Sequence, residues 1–458
     1  MNIYLHVESV IRELDSKILL ATIAASRGHQ VLVSNLSSIT RGIRAGLLAP
    51  GIFHTKSLTP GEDKILRHQK IIDNGFYITS IDEEGGLIDV GYDKFAKIRY
   101  SDKTINQSSA VFGWGFEDVN TLKKIYPKFS SKIYKTGSPR VDLWKSIFLD
   151  YWGIPKERPS KPYLLISSNF GTANNKKKPH ELIASQKKGG YFQRDPEMFN
   201  RNFSCIADES SMMLCFINAI KHLSNNNNLY DIVLRPHPVE DVEAWKVYLE
   251  DVANVHVLEK GSITPWVNNS FAVLHNGCTT SLEASIAGKP VITYAPFEKK
   301  FNKALLANDL GYLIKTQEEL LLKVNTIFHK IEYKNLKNNN EKNIDKISNK
   351  IFLDNNQLAA EKIIKVWESL DTNNLSQSSS WVRFQLFLNV MKCRDTLRVG
   401  LKNFIPNRFR TKEYNQKFPS LKKNDITERI SKLQNILGID KNLECKFLSD
   451  KTILIKQS

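Results

Sequence analysis

The chain has little cysteine, no long apolar run and no Asp-x-Asp triplet, and each lack closes a class of readings. Its five cysteines, Cys205, Cys215, Cys278, Cys393 and Cys445, are odd in number and scattered, with no Cys-x-x-Cys pair. A disulfide framework and a zinc-ligand motif are therefore excluded, and a reducing cytoplasm is the simplest setting for the thiols. No apolar run reaches the roughly 18 to 20 residues of a membrane span, so any membrane contact is expected to be peripheral. The opening MNIYLHVESVIRELD lacks a basic stretch and places Glu8 and Glu13 where a signal peptide is apolar, so export is not expected. Without an Asp-x-Asp triplet, nothing calls for a divalent metal, and no metal site is expected.

What is present begins with size and charge. The 458 residues are 41% hydrophobic and 25% charged, a globular composition with room for two domains. The excess of 65 Lys and Arg over 48 Asp and Glu, +17, calls for an anionic partner. Along the chain, apolar runs alternate with amphipathic stretches: a strand over 2–7, a helix over 11–27, a strand over 30–34, then a second such series from Tyr163 onward. That alternation predicts two α/β domains with parallel sheets, 1–153 and 163–330, joined by the proline-rich linker 154–162. Closing helices are expected over 331–375, and a basic helical extension over 376–458. Between Trp381 and Lys423 eleven Lys and Arg face two acids, interleaved with Trp381, Phe384, Phe387 and Leu388.

Three segments carry chemistry. The stretch HNGCTTSLEASIAGKP, from His275 to Pro290, turns a strand into a helix. His275 and Asn276 lie at the turn, Thr279, Thr280 and Ser281 at the helix start, and Glu283 one turn in, where it can accept from a ribose diol. Helix-start amides with these hydroxyls make a phosphate-sized anion site, or else an ordinary capped helix. The stretch Arg235-Pro-His237-Pro238 follows another strand; it offers a stiffly held imidazole and a permanent cation at the strand end, where open parallel sheets bind ligands. Asp82, Glu83 and Glu84 before Gly85-Gly86 offer general base or nucleophile candidates, or a solvated acidic turn. Arg12, Glu13 and Asp15 open the first helix, where they could face the cleft between domains or be ordinary first-turn charges; Thr136 to Arg140 reads as a turn with an available cation before the linker, and Asn169 ends the strand at Tyr163, a further crevice position.

RELDSKILLA, IDEEGG, GSPRVDLW, ISSNFG, VLRPHP and HNGCTTSLEASIAGKPVITY, in that order over about residues 1 to 320, resemble the bacterial surface-carbohydrate biosynthesis proteins, which belong with the GT-B glycosyltransferases. Parts also resemble the retaining β-Kdo transferases and the polymerases that use CDP-glycerol or CDP-ribitol. The resemblance implies an α/β architecture of two Rossmann-like domains facing across a cleft. The donor nucleotide would be held by the second domain, through His237 and the segment from Thr279 to Glu283. An acid among Asp82, Glu83 and Glu84 would act from the first. It implies a glycosyltransferase using a nucleotide-sugar donor, favoured as cytidine-linked, on a glycan or lipid-linked acceptor, with no further cofactor. In the β-Kdo transferases a Phe follows the acidic-glycine motif, and here Gly86 stands there instead.

The rivals are a polyol-phosphate transferase, a GT-B-fold epimerase and a basic nucleic-acid-binding or scaffold protein. Nucleic acid is not expected as a partner, because the charge is concentrated in the tail and the α/β halves carry no RNA-recognition signature. The tail is expected either to lie on the cytoplasmic face of the membrane, with Trp381, Phe384, Phe387 and Leu388 inserted, or to pack on the domains as a helical appendage.

Overall fold

A computed structural model describes residues 1–85, 91–188, 192, 197–297, 306–330, 333–354, 356–370, 379–401 and 418–458, with the side chains of 188, 333–339 and 394–401 outside the description. The chain divides into two compact units: Met1–Leu143 together with Ser348–Ser458, and Trp144–Ile347. The linker expected over 154–162 thus lies inside the second unit.

The first unit is built on an eight-stranded sheet. Its strands are β1 (Asn2–His6), β2 (Gln30–Ser34), β3 (Ile52–Thr55), β4 (Tyr77–Ile81), β5 (Ala110–Gly113) and β6 (Ile133–Lys135). All five residues of β1 are buried, the expected state of a central parallel strand covered on both faces. Helix α1 (Val10–Ser26) returns the chain to β2, which pairs parallel to β1 with Leu5 opposite Val33. Because β3 pairs on the other side of β1, the order β2-β1-β3-β4-β5-β6 reverses at the β1/β3 boundary.

The second unit carries a six-stranded parallel sheet of β7 (Tyr163–Ser167), β8 (Asp231–Arg235), β9 (Val255–Val257), β10 (Ala272–His275), β11 (Val291–Tyr294) and β12 (Tyr312–Ile314). Helix α2 (Met198–Asn225) leads from β7 to β8, and α3 (Thr280–Ile286) leads from β10 to β11. The order β12-β11-β10-β7-β8-β9 reverses between β7 and β10. Helix α2 is long and apolar enough to cross a membrane by length and composition, although it holds no unbroken apolar run of that length. Its second half instead buries Met212, Met213, Phe216, Ala219, Ile220 and Leu223 in the core of this unit.

Beyond Ile347 the chain belongs to the first unit. Helix α4 (Ala359–Ser369) buries Ala360, Ile363, Ile364 and Trp367 on one face, and Trp367 Nε1 donates to Thr79 Oγ1 at 3.0 Å. Helices α5 (Trp381–Leu401) and α6 (Lys423–Leu437) follow, then a hairpin of β13 (Leu443–Ser449) and β14 (Thr452–Gln457). Strand β14 pairs antiparallel with β2, Ile455 opposite Val31, so the C-terminal extension is not only helical: it completes the N-terminal sheet. Outermost β13 exposes Glu444 and Lys446, charges that discourage pairing at a free edge.

For the four residues expected either to insert in a bilayer or to pack on the domains, this placement is the packed one. Phe384 is fully buried and Leu388 nearly so, in one cluster with Tyr4, Leu48 and Phe53, while partly buried Trp381 and Phe387 pack against it. Trp381 Nε1 donates to Gln30 Oε1 at 2.7 Å. Residues committed to this core are not available to a bilayer. Of the basic residues, Lys402, Arg408, Arg410, Lys412 and Lys417 lie outside the described residues, as do the side chains of Arg394 and Arg398.

Candidate functional site

Open parallel sheets bind ligands beyond the carboxyl ends of their strands, where the strand order reverses. Each unit has one such place.

In the second unit the loops after β7, β8 and β10 meet there, tied by a buried carboxylate. Glu240 accepts from Ser168 Oγ at 3.0 and 2.9 Å, from the amides of Phe170 at 3.0 Å and His237 at 3.1 Å, and from Trp245 Nε1 at 2.7 Å. One side chain thereby fixes the β7 loop to the β8 loop. On the other side, Asn169 Nδ2 donates to the carbonyl of Gly277 at 3.0 Å, and Asn276 Nδ2 to that of Asn169 at 3.3 Å, fixing the β7 loop to the β10 loop.

His237 stands in this frame, partly exposed, with Pro238 fully at the surface. Its Nδ1 accepts from the Val239 amide at 3.4 Å, so the neutral ring carries its proton on Nε2 as a donor. Burial lowers the imidazole pKa, opposed by the charges of Glu240 and Glu209. Glu209, on α2, holds the amides of Thr172 and Ala173 at 2.8 and 3.1 Å.

The expected donor-binding residues divide into solvent-facing and structural groups. Thr279 is exposed, and the helix-start amides of Thr279 and Thr280 have no acceptor among the described residues. Thr280 and Ser281 turn inward: Thr280 Oγ1 accepts from Ser167 Oγ at 3.0 Å, and Ser281 Oγ donates to the Cys278 carbonyl at 3.0 Å. His275 is wholly buried, accepting from the Gly277 and Cys278 amides at 2.9 and 3.3 Å, with Nε2 2.9 Å from Thr293 Oγ1. It shapes the turn. Glu283 is buried in α3. Arg235, expected as a free cation, donates to the carbonyls of Lys260 at 2.7 Å and Gly261 at 2.8 Å and lies over the Trp266 ring. Burial lowers its pKa to about 10. It braces the β8 and β9 loops.

In the first unit the three adjacent acids follow β4 and part ways. Asp82 is gripped by Arg99 through two bonds of 2.8 and 2.9 Å and accepts the Glu84 amide at 3.0 Å. Burial nevertheless raises its pKa, against the pull of Arg99. Glu83 pairs with Lys17 at 2.7 Å, both almost fully buried. Glu84 is half exposed, 3.3 Å from Arg12.

Glu13, one position beyond Arg12, is wholly buried; its Oε2 accepts the Glu8 amide at 2.8 Å, and Arg12 reaches its Oε1 at 3.5 Å. Burial raises its pKa, and the Glu83 charge raises it further. Lys56, after β3, adds a pair with Glu8 at 2.5 Å. Of the other expected residues, Asp15 turns away to pair with Arg429 on α6, and Arg140 lies in the short helix Pro139–Asp142, which packs on α1. Lys17, Lys56 and Glu240 were not among the expected site residues.

No family model matches the chain, and no curated protein sequence does. Solved structures do. A UDP-GlcNAc 2-epimerase from Neisseria meningitidis bound to UDP-GlcNAc is 13% identical with a TM-score of 0.42, covering 80% of this chain and 99% of that one. A glycosyltransferase from Rickettsia africae is 13% identical with a TM-score of 0.44, covering 82% of this chain and 99% of that one. The wall teichoic acid polymerase TagF is 11% identical with a TM-score of 0.42, covering 71% of this chain and 73% of that one. Each is a likeness in outline, and no family is assigned from it.

Proposed function

We propose that this protein transfers a glycosyl group from a nucleotide-linked donor, favoured as cytidine-linked by the motif resemblance, to a surface-glycan or lipid-linked acceptor on the cytoplasmic side of the membrane. The observation that carries the reading is the second unit's loop frame. Glu240, Asn169 and Asn276 lock three strand-end loops at the point of strand-order reversal, and that frame presents His237 Nε2–H and the amides of Thr279 and Thr280. Donors fixed before the reaction favour an anionic leaving group, because no reorganisation is needed as charge develops on it. In this reading the nucleotide's phosphate charge is met by these groups rather than by a metal.

Among the three adjacent acids, Glu84 is the one assigned to the reacting centre. Asp82 and Glu83 are buried and held by Arg99 and Lys17, whereas Glu84 is half exposed. Glu13, whose pKa is raised by burial and by the Glu83 charge, is a fourth acid of this cluster.

Donor cleavage tests this. CMP-linked ulosonates, CDP-glycerol and UDP-N-acetylhexosamines are each incubated with the full chain and with Glu84→Gln. The expected result is turnover of a CMP-ulosonate, slowed about 10²- to 10⁴-fold in the variant. Cleavage of CDP-glycerol alone, or epimerisation of a UDP-sugar with no acceptor present, overturns the reading.

A further inference from the structure

Helix α2 is two structures in one. Its buried residues begin only at Met212, so the 14 residues before it, about 21 Å of helix, stand outside the core of the second unit. An ordinary surface helix in that position is polar on its outward face. Here Phe199 and Phe203 are each 46% exposed. They stack at a centroid separation of 5.0 Å, and Phe192 continues the row at 6.0 Å from Phe199. The helix Pro179–Lys188 lies alongside, joined through Asn202 Nδ2 donating to Gln186 Oε1 at 2.7 Å. Between the two is an open hollow of about 460 Å³ lined by Ile183, Lys187, Phe192 and Phe199.

Charge says what this face meets. From residue 176 to 203 the sequence carries seven Lys and Arg against three Asp and Glu, and Lys176, Lys177, Lys178 and Lys187 are exposed. Exposed aromatics rimmed by cations match the boundary of an anionic bilayer: the rings enter the acyl edge while the ammonium groups remain at the phosphates. The same face is poorly suited to bulk water, since contiguous exposed apolar surface carries a hydration cost that an interface relieves.

We infer that the helical pair 179–188 and 198–211 is a membrane-docking element that seats the second unit on an anionic lipid surface through Phe192, Phe199 and Phe203. Its position gives the docking a use. Helix α2 begins at the end of the sheet where the β7 loop emerges, and Glu209 on the same helix holds Thr172 and Ala173 of that loop. A bilayer at this element lies beside the His237 frame, within reach of lipid-linked material. This inference does not rest on the transfer reading, since lipid binding is measured without donor or acceptor.

Vesicle flotation of the full chain tests it, with phosphatidylcholine vesicles prepared with and without phosphatidylglycerol. The wild type is expected to float with the anionic vesicles, less so in high salt. The Phe199→Ser/Phe203→Ser variant and the separate Lys177→Glu/Lys178→Glu variant are each expected to lose about tenfold in bound fraction, with thermal unfolding unchanged. Using two variants guards against a folding defect in either. Failure of the wild type to float overturns the inference, as does flotation of the Phe variant equal to wild type. A wild-type dimer that the Phe variant dissociates, with neither form floating, also overturns it and makes the face a contact between copies.

Discussion

Lys17 and Glu83 leave water together. Their 2.7 Å ion pair is almost fully buried, and such a pair stabilises little by itself but is costly to break, because a lone charge then remains in a low dielectric. Glu83→Ala is therefore expected to destabilise by about 3 to 5 kcal/mol in urea unfolding, while Lys17→Met/Glu83→Leu costs far less. Equal loss in both variants contradicts the pairing. At this scale the sequence told which residues carry charge but not which partners they keep. Arg235 read as a free cation at a strand end, yet its partners are two backbone carbonyls 25 and 26 residues further on, and no local pattern announces them. Three neighbouring acids read as equivalent, and only the fold gives each a different partner: Lys17 and Arg12 of α1 for Glu83 and Glu84, and Arg99 at the end of the helix Tyr92–Arg99 for Asp82. Glu240 lies three residues after His237 and was passed over. Its value comes from Ser168 and Phe170, 72 and 70 residues earlier in the chain.

Elements were far more legible. The apolar centres of YLLIS and DIVLR are strands because a parallel strand buried on both faces has little polar surface to show. The expected strand over 30–34 coincides with β2, and those from Tyr163 and Asp231 start where β7 and β8 start. The C-terminal extension was the exception. Beyond its basic composition between Trp381 and Lys423, it holds the apolar run TILI in β14, whose four residues are all buried against β2. The segment of α5 likewise read as either a bilayer-facing amphipath or a packed appendage, because core and membrane select the same apolar residues. Phe384 decides between them: a Cβ added at Gly42 would meet its ring at 2.5 Å, so the fit is tight. Phe384→Ala is expected to lower the stability of the first unit by about 3 to 5 kcal/mol, measured by urea unfolding, as for a buried aromatic. A change below about 1 kcal/mol is what an exposed, bilayer-seeking Phe would give, and would contradict the core assignment.

Across the whole molecule, two units each carry a core and a largely parallel sheet, and that much followed from the alternation of apolar and amphipathic segments; the points where strand order reverses did not. The path of the chain did not: residues from Ser348 onward return to the first unit, and nothing local in a sequence specifies which sheet edge a distant hairpin completes. The +17 likewise divides by place. A part of it rims the exposed phenylalanines of α2, while Lys17, Lys56 and Arg99 are committed to carboxylates. The central claim is that the second unit's loop frame binds the nucleotide of a donor through His237. The most direct measurement is thermal unfolding of wild type and His237→Ala with CMP, CDP, UDP and GDP added in turn. A cytidine nucleotide at about 100-fold excess over its Kd is expected to stabilise the wild type by about 2.7 kcal/mol and to leave His237→Ala unmoved. No shift with any of the four, or an equal shift in the variant, contradicts the account.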